Sequence, residues 1–240
     1  MGRLFLIRHG QASFLDENYD KLSAIGEAQA RHLGQYWVRH KMLFDRVFSG
    51  PRVRQKDTAR IVAEVYRDAG LPFPEPVVMQ EFDEYHGDAV LKQGLPQLLA
   101  SNGEVRELHQ AFQSSNRAEQ RVANFEKMFE LVITKWVDAE IVLTGVESWA
   151  EFCARVDGGL SQCISPNGRR GRQLAIFCSG GPIGVSVRRA FHLSFQDTRR
   201  AAWLIRNCSY SEFLFSKDRF TLSTFNAFPH LDDASLLTYR

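Results

Sequence analysis

Long apolar runs are missing from this chain. No stretch approaches the roughly 20 residues that cross a bilayer as a helix, so neither a membrane-spanning role nor a membrane partner is expected. Cysteine is scarce. Cys153, Cys163, Cys178 and Cys208 are the only four, and they show neither CxxC nor Cys/His spacing. Their pattern argues against a disulfide framework or a structural metal and predicts a reduced, cytoplasmic protein. An excess of one charge is lacking too: 30 Lys and Arg face 28 Asp and Glu, leaving +2. That balance is no electrostatic reason to expect nucleic acid, although a local basic pocket is still allowed. At the N-terminus, Leu4-Phe5-Leu6-Ile7 is too short for a signal-peptide core and no small-residue cleavage site follows it. Leu6 stands where a myristoylation signal needs Ser or Thr.

What is present is a globular composition, 44% apolar and 24% charged over 240 residues, the size of one large domain or of one domain with an insertion. Leu4-Phe5-Leu6-Ile7 reads as a buried strand. Ser23 can cap a helix whose inner face carries Ile25, Ala28, Leu33 and Tyr36. Arg46-Val47-Phe48 is a second strand, stopped by Gly50-Pro51, and residues 58–66 are helical, with Ile61, Val62 and Val65 on one side. Pro76-Val77-Val78-Met79 is a third strand. This alternation predicts a parallel sheet with crossover helices.

The alternation stops over about 87–145, where no strand is predicted. There Val122, Phe125, Phe129, Val132 and Trp136 form the narrow seam of an amphipathic helix. Such a seam serves either a neighbouring helix of an insertion or a homodimer interface. The pattern then resumes with a helix over 149–160 carrying Phe152 and Val156 inward, a turn at Pro166-Asn167-Gly168 and a strand over 174–177. A helix from about Ile183 follows, and Trp203-Leu204-Ile205, Glu212-Phe213-Leu214-Phe215 and Phe220-Thr221-Leu222 read as closing strands.

In an open α/β sheet, ligands bind beyond the carboxyl ends of the strands. Arg8-His9-Gly10, Ser49-Gly50-Pro51-Arg52-Val53-Arg54, Glu81 and Ser179-Gly180-Gly181 all follow predicted strands and so share one rim. Arginine forks match phosphate oxygens, and amides at a helix start favour anions. A neutral imidazole whose Nδ1 hydrogen is held by a carbonyl presents Nε2 as a nucleophile. Singly, each residue has an ordinary explanation: a satisfied histidine, a solvated helix arginine, a surface carboxylate, a tight turn. Their order and common rim point to phosphate handling. Cys178 is expected to face a packed layer, and Arg169-Arg170-Arg172, Arg188-Arg189 and Arg199-Arg200 read as solvated charges.

Over most of its length the sequence resembles the histidine phosphatase superfamily, the phosphoglycerate-mutase-like fold. The residues that carry the resemblance are Leu4-Phe5-Leu6-Ile7-Arg8-His9-Gly10, Leu22-Ser23 with Gly26 and Gln29-Ala30, and Phe48-Ser49-Gly50-Pro51 with Arg54 and Thr58-Ala59. The serine and arginine of that last segment are one residue further apart than usual. Met79-Gln80-Glu81, Glu147-Ser148 with Phe152 and Arg155-Val156, then Asn207, Ser209, Asn226 and His230-Leu231 continue it. The resemblance implies an α/β fold, a three-layer αβα sandwich with a mostly parallel sheet and an inserted helical cap. One domain would span 1–240, with the cap at about 87–145.

It also implies roles. His9 would accept the phosphoryl group, Arg8 and Arg54 would bind its oxygens together with Ser179 and Gly180, and Glu81 would protonate the leaving oxygen, with Glu84 the competing donor. No metal or cofactor is implied, and the partner would be a phosphorylated small molecule or phosphate itself. The departure is Ser179, which stands where the family usually has a second pocket histidine. A serine donates one hydrogen bond but brings no charge, and losing one transition-state donor costs on the order of 100- to 1,000-fold in rate. His86 or His230 are the candidates to fill that gap. The implied function is a phosphoric-monoester hydrolase acting through a phosphohistidine. The alternatives are a phospho-ligand-binding or scaffold protein on a weakened fold, and a mutase.

Overall fold

The computed structural model describes residues 1–13, 20–165 and 171–239; the turn expected at Pro166-Asn167-Gly168, with Arg169 and Arg170, lies outside the described residues. Six strands form one sheet: β1 (Gly2–Arg8), β2 (Arg46–Ser49), β3 (Val77–Val78), β4 (Gln173–Cys178), β5 (Tyr210–Phe215) and β6 (Phe220–Ala227). Their spatial order is β3-β2-β4-β1-β5-β6. The first four pair in parallel, and β5 runs antiparallel to both β1 and β6. Eight α-helices are described: α1 (Ala24–Arg39), α2 (Val53–Asp68), α3 (Gly87–Ser101), α4 (Gly103–Ser114), α5 (Ala118–Val137), α6 (Trp149–Cys163), α7 (Gly180–Phe191) and α8 (Phe195–Trp203).

β1 and β4 are unbroken apolar runs because both of their faces are covered. Side chains alternate across a strand, so Leu4, Leu6, Leu174, Ile176 and Cys178 join one core while Phe5, Ile7, Ala175 and Phe177 join the other. The second core is closed by Leu33 and Trp37 of α1 with Ile61, Val62 and Tyr66 of α2. The first takes Phe152 and Val156 of α6 and Ile183 of α7, then continues into the cap through Val90, Leu98, Val105, Val132 and Trp136. Fully burying one such side chain is worth about 1.5–3 kcal/mol. A surface pair such as Arg60–Glu64 (2.6 Å) is worth at most about 1 kcal/mol, so these two cores dominate stability. No helix among the described residues is long and apolar enough to cross a membrane.

Several local expectations change in the fold. The inner face of α1 is Gly26, Ala30, Leu33 and Trp37, and Ile25 is exposed. Glycines carry no apolar signal, yet here they let backbone approach backbone. α2 begins at Val53, five residues before its apolar pattern starts, because its first turn buries Arg54 and Gln55 instead of apolar groups. Trp203 ends α8 and Leu204 is its C-cap, so that short apolar run is not a strand. Arg199, expected to be solvated, is buried: it pairs with Glu130 at 3.1 Å and stacks over Trp203. Most of the α5 seam packs within the chain: Val132 and Trp136 are buried, Phe125 stacks on Phe129 and lies tilted against Phe112, and Phe129 stacks on Trp203, whereas Val122 is exposed.

His230 follows β6 and lies buried beside the rings of Tyr36 and Tyr210. Burial lowers its pKa from 6.5 to about 4. Below pH 6.5 the unfolded chain takes up a proton that the folded chain refuses until about pH 4, so about 3 kcal/mol of stability is present above that window and lost as pH falls through it. His230→Phe, which keeps a ring in place, should remove this part of the acid dependence in urea unfolding. The same pH slope in both proteins would show that the imidazole is hydrated in the fold.

Candidate active site

β1 delivers His9 to the middle of the sheet's carboxyl rim, and hydrogen bonds hold its backbone from both sides. Its N–H donates to the Cys178 carbonyl (2.9 Å), and its carbonyl accepts from Cys208 N–H (3.1 Å) and from Asn207 Nδ2 (3.4 Å). The imidazole Nδ1 lies 2.7 Å from the Gly10 carbonyl. A carbonyl only accepts, so Nδ1 carries the hydrogen and Nε2 keeps its lone pair. Arg54 Nε donates to that Nε2 at 3.0 Å. Burial, reinforced by the guanidiniums of Arg54, Arg8 and Arg52, holds the His9 pKa well below its ordinary value, so the ring is neutral at neutral pH.

The loop carrying His9 is held by the first two helices. Gly10 N–H donates to Thr58 Oγ1 (3.1 Å), whose hydroxyl donates to the Arg54 carbonyl (2.7 Å). A Cβ on Gly10 would collide with the Gly26 carbonyl, and one on Gly26 with the Gln11 carbonyl, so the loop lies directly on the first turn of α1. Ser23 caps that turn, its hydroxyl accepting from Gly26 N–H at 3.1 Å. Gln29 then accepts from Gln11 N–H (2.9 Å) and donates to the Leu236 carbonyl (2.7 Å), joining the loop to the C-terminal segment.

The arginines of the rim are bound to acceptors. Arg8 donates from Nη1 to the Ile205 carbonyl. Arg54 pairs with Asp20 at 3.0 Å, and Asp20 also accepts from Val53 N–H (2.8 Å) at the start of α2. Arg52 pairs with Asp83 (2.6 Å) and donates to the Glu84 carbonyl (2.9 Å).

Ser179 is the N-cap residue of α7, which starts at Gly180, three residues earlier than its apolar pattern suggests. Its Oγ accepts from Gln55 Nε2 (2.8 Å), which leaves the hydroxyl hydrogen for another acceptor. Glu84 reaches the same helix start, where its Oε2 accepts from Gly181 N–H at 2.9 Å. Burial raises the Glu84 pKa, opposed by the Gly181 N–H and by Arg52 and Arg54.

The fold thus brings together His9, Arg54, Ser179, Gly180 and Glu84, with Arg8 adjacent to His9. It does not bring Glu81 there. Glu81 lies against Gly159 and accepts from Gln162 Nε2 (3.0 Å), on the α6 side of its loop. The turn Gln80–Phe82 is a 3-10 helix, and its tight winding turns Glu81 away from the rim and leaves the rim to Glu84. The apolar–any–Glu spacing that marked Met79-Gln80-Glu81 occurs again in Phe82-Asp83-Glu84, and the full burial of Phe82 makes that second register the anchored one. Gln55 had no sequence signal, since a helical amide reads as a solvated face.

Neither histidine proposed to substitute for Ser179 belongs to this cluster. His86 is exposed and lines a cavity of about 580 Å³ with Gln80, Asp83, Glu147 and Arg155. His230 sits beside Tyr36 and Tyr210. Cys178 is buried, and burial pushes its thiol well above the ordinary value, so it is no nucleophile at neutral pH.

Residues 4–227 match the histidine phosphatase superfamily (branch 1). The chain belongs to that superfamily. No protein of curated function matches it. Among solved structures, a mycobacterial glucosyl-3-phosphoglycerate phosphatase in complex with inorganic phosphate shares 21% identity at TM-score 0.61, covering 96% of this chain and 99% of that one. A phosphoserine phosphatase from Entamoeba histolytica in complex with 3-phosphoglyceric acid shares 17% identity at TM-score 0.61, covering 96% and 100%. A phosphoglycerate mutase from Bacillus anthracis shares 15% identity at TM-score 0.60, covering 96% and 95%. At these identities the likeness is one of fold.

A Cβ on Gly181 would overlap Glu84 Oε1 and press on the Phe152 ring. Gly181→Ala should therefore lower stability by about 1–3 kcal/mol, read as an earlier denaturation midpoint. A midpoint equal to that of the wild type would mean that the Glu84 carboxyl does not lie against this helix start.

Proposed function

We propose that the protein is a phosphoric-monoester hydrolase that works through a phosphohistidine on His9. The observation that carries this reading is the state of the imidazole: buried, neutral, its one hydrogen committed to Gly10 and its Nε2 lone pair turned toward Arg54. In the first step Nε2 attacks phosphorus, the bond to the leaving oxygen breaks, and the carboxyl proton of Glu84 passes to that oxygen. In the second step the Glu84 carboxylate takes a proton from water, the water oxygen attacks phosphorus and the P–N bond breaks. Arg54 turns its fork from Nε2 to the phosphoryl oxygens, and Arg8, the Ser179 hydroxyl and the start of α7 at Gly180 face them as well. Phosphoryl transfer asks mainly for such positioning and charge stabilisation.

We assign the proton donor to Glu84 rather than Glu81, because burial raises the Glu84 pKa and its carboxyl lies at the helix start beside Ser179. The substrate class is a phosphorylated small molecule met beneath the cap, in a single unit spanning the chain and in a reducing, cytoplasmic setting. Ser179 supports a second reading, a phospho-ligand-binding protein with weakened turnover, because it brings one hydroxyl where a charged donor would serve better.

Hydrolysis of an aryl phosphate in chelator should be lost in His9→Ala. Its pH profile should be bell-shaped: protonation of His9, below the ordinary histidine range, forms the acid limb, and ionisation of Glu84, above the ordinary carboxylate range, forms the alkaline limb. Glu84→Gln should erase the alkaline limb. Equal turnover in wild type and His9→Ala would refute the hydrolase reading. If both are inactive and Ser179→His gains turnover, the binding reading describes the natural protein.

A further inference from the structure

Arg155 of α6 takes no part in the chemistry described above, yet it binds three carbonyls of the loop that carries Glu84. Its Nη1 faces the carbonyls of Gln80 (3.0 Å), Glu81 (3.0 Å) and Asp83 (3.2 Å). The opposite edge of the guanidinium is held by Glu147, through Nε (3.0 Å) and Nη2 (2.6 Å), a two-point grip that fixes its plane. Its face lies 5.2 Å from the centre of the Phe152 ring. Phe152 in turn packs edge-on against Tyr85, the residue after Glu84.

The chain enters the cap through Asp83 to Gly87 and leaves it just before Glu147, so a single guanidinium ties both necks of the cap to the body. Three carbonyls on one donor edge also leave the loop little freedom to rotate, and any rotation would withdraw Glu84 from Gly181.

We propose that Arg155, oriented by Glu147, is a positioning residue that sets the Glu84 carboxyl at the start of α7 and links it to the seating of the cap. This rests on the reading of Glu84 as proton donor. A lysine cannot reproduce the arrangement, because an ammonium has no planar fork to grip Glu147 while serving three carbonyls.

The test compares wild type with Arg155→Lys and Glu147→Gln, both of which keep the volume of the site, on two phosphate esters. With an alkyl phosphate, whose leaving oxygen needs a proton, kcat/KM, which reports the first step and not the shared hydrolysis of the phosphohistidine, should fall about 10- to 100-fold, whereas with dinitrophenyl phosphate, whose leaving group needs none, it should fall less than about threefold. A general structural defect would lower both rates alike, and equal losses would overturn the proposal. A readout independent of turnover is the carboxyl-carbon NMR titration of Glu84, assigned with Glu84→Gln. Its midpoint should be raised in wild type and move toward the ordinary carboxylate range in Arg155→Lys, as the loop loosens and the carboxyl meets water. An unmoved midpoint would overturn the positioning role. A wild type inactive on both esters would count against the hydrolase reading, while the titration still decides the role of Arg155.

Discussion

The hydrogen bond from His9 Nδ1 to the Gly10 carbonyl is the contact on which the site depends. It decides which nitrogen keeps a lone pair, and it works only because Gly10 cannot move. Gly10 is held by Thr58 from α2 and by contact with Gly26 of α1, and both helices are seated by the core on their side of the sheet. A chain of rigid supports thus runs from apolar packing, through two helix starts, to one proton. The same central position buries the ring, and burial is what keeps it neutral among arginines.

Charge balance is the second constraint. Buried or half-buried guanidiniums are costly unless paired, and here each finds acceptors within the same rim: Asp20 for Arg54, Asp83 for Arg52, and the Ile205 carbonyl for Arg8. The rim is therefore strongly charged while the whole molecule is close to neutral, which is why a net charge of +2 is silent about it. Glu84 is part-buried as well, and its partner is a backbone N–H at the start of α7 rather than a guanidinium. The cost of keeping a buried carboxylate ionised outweighs its favourable neighbours, and its pKa rises.

The two faces of the sheet do different work. The face covered by α1 and α2 has a compact core and supplies Thr58, Arg54 and Gln55. The core of the other face runs without a break from β4 through α6 into the cap. The loop of Glu84 lies where the body meets the cap, so the acid at the rim is coupled to cap packing more closely than the imidazole is.

The apolar runs, their alternation with helical segments and the residues ending each strand are local properties, and from them the class of fold, the rim and the positions of His9, Arg8, Arg54 and Ser179 could be read. Elements held by polar contacts could not: the first turn of α2 buries Arg54 and Gln55, and the inner face of α1 uses glycines, so neither leaves an apolar pattern. Arg199 looked solvated because Glu130 on α5, the acceptor it pairs with, is far away in the chain. The choice between Glu81 and Glu84 also lay beyond the sequence. The two carboxylates are three residues apart with similar flanks, and which one faces the rim depends on Phe82 being anchored in the core and on Arg155 gripping the carbonyls between them. Strand ends are set by local pattern, whereas the direction of a loop carboxylate is set by partners far away in the chain, and only the assembled layers bring those partners to it.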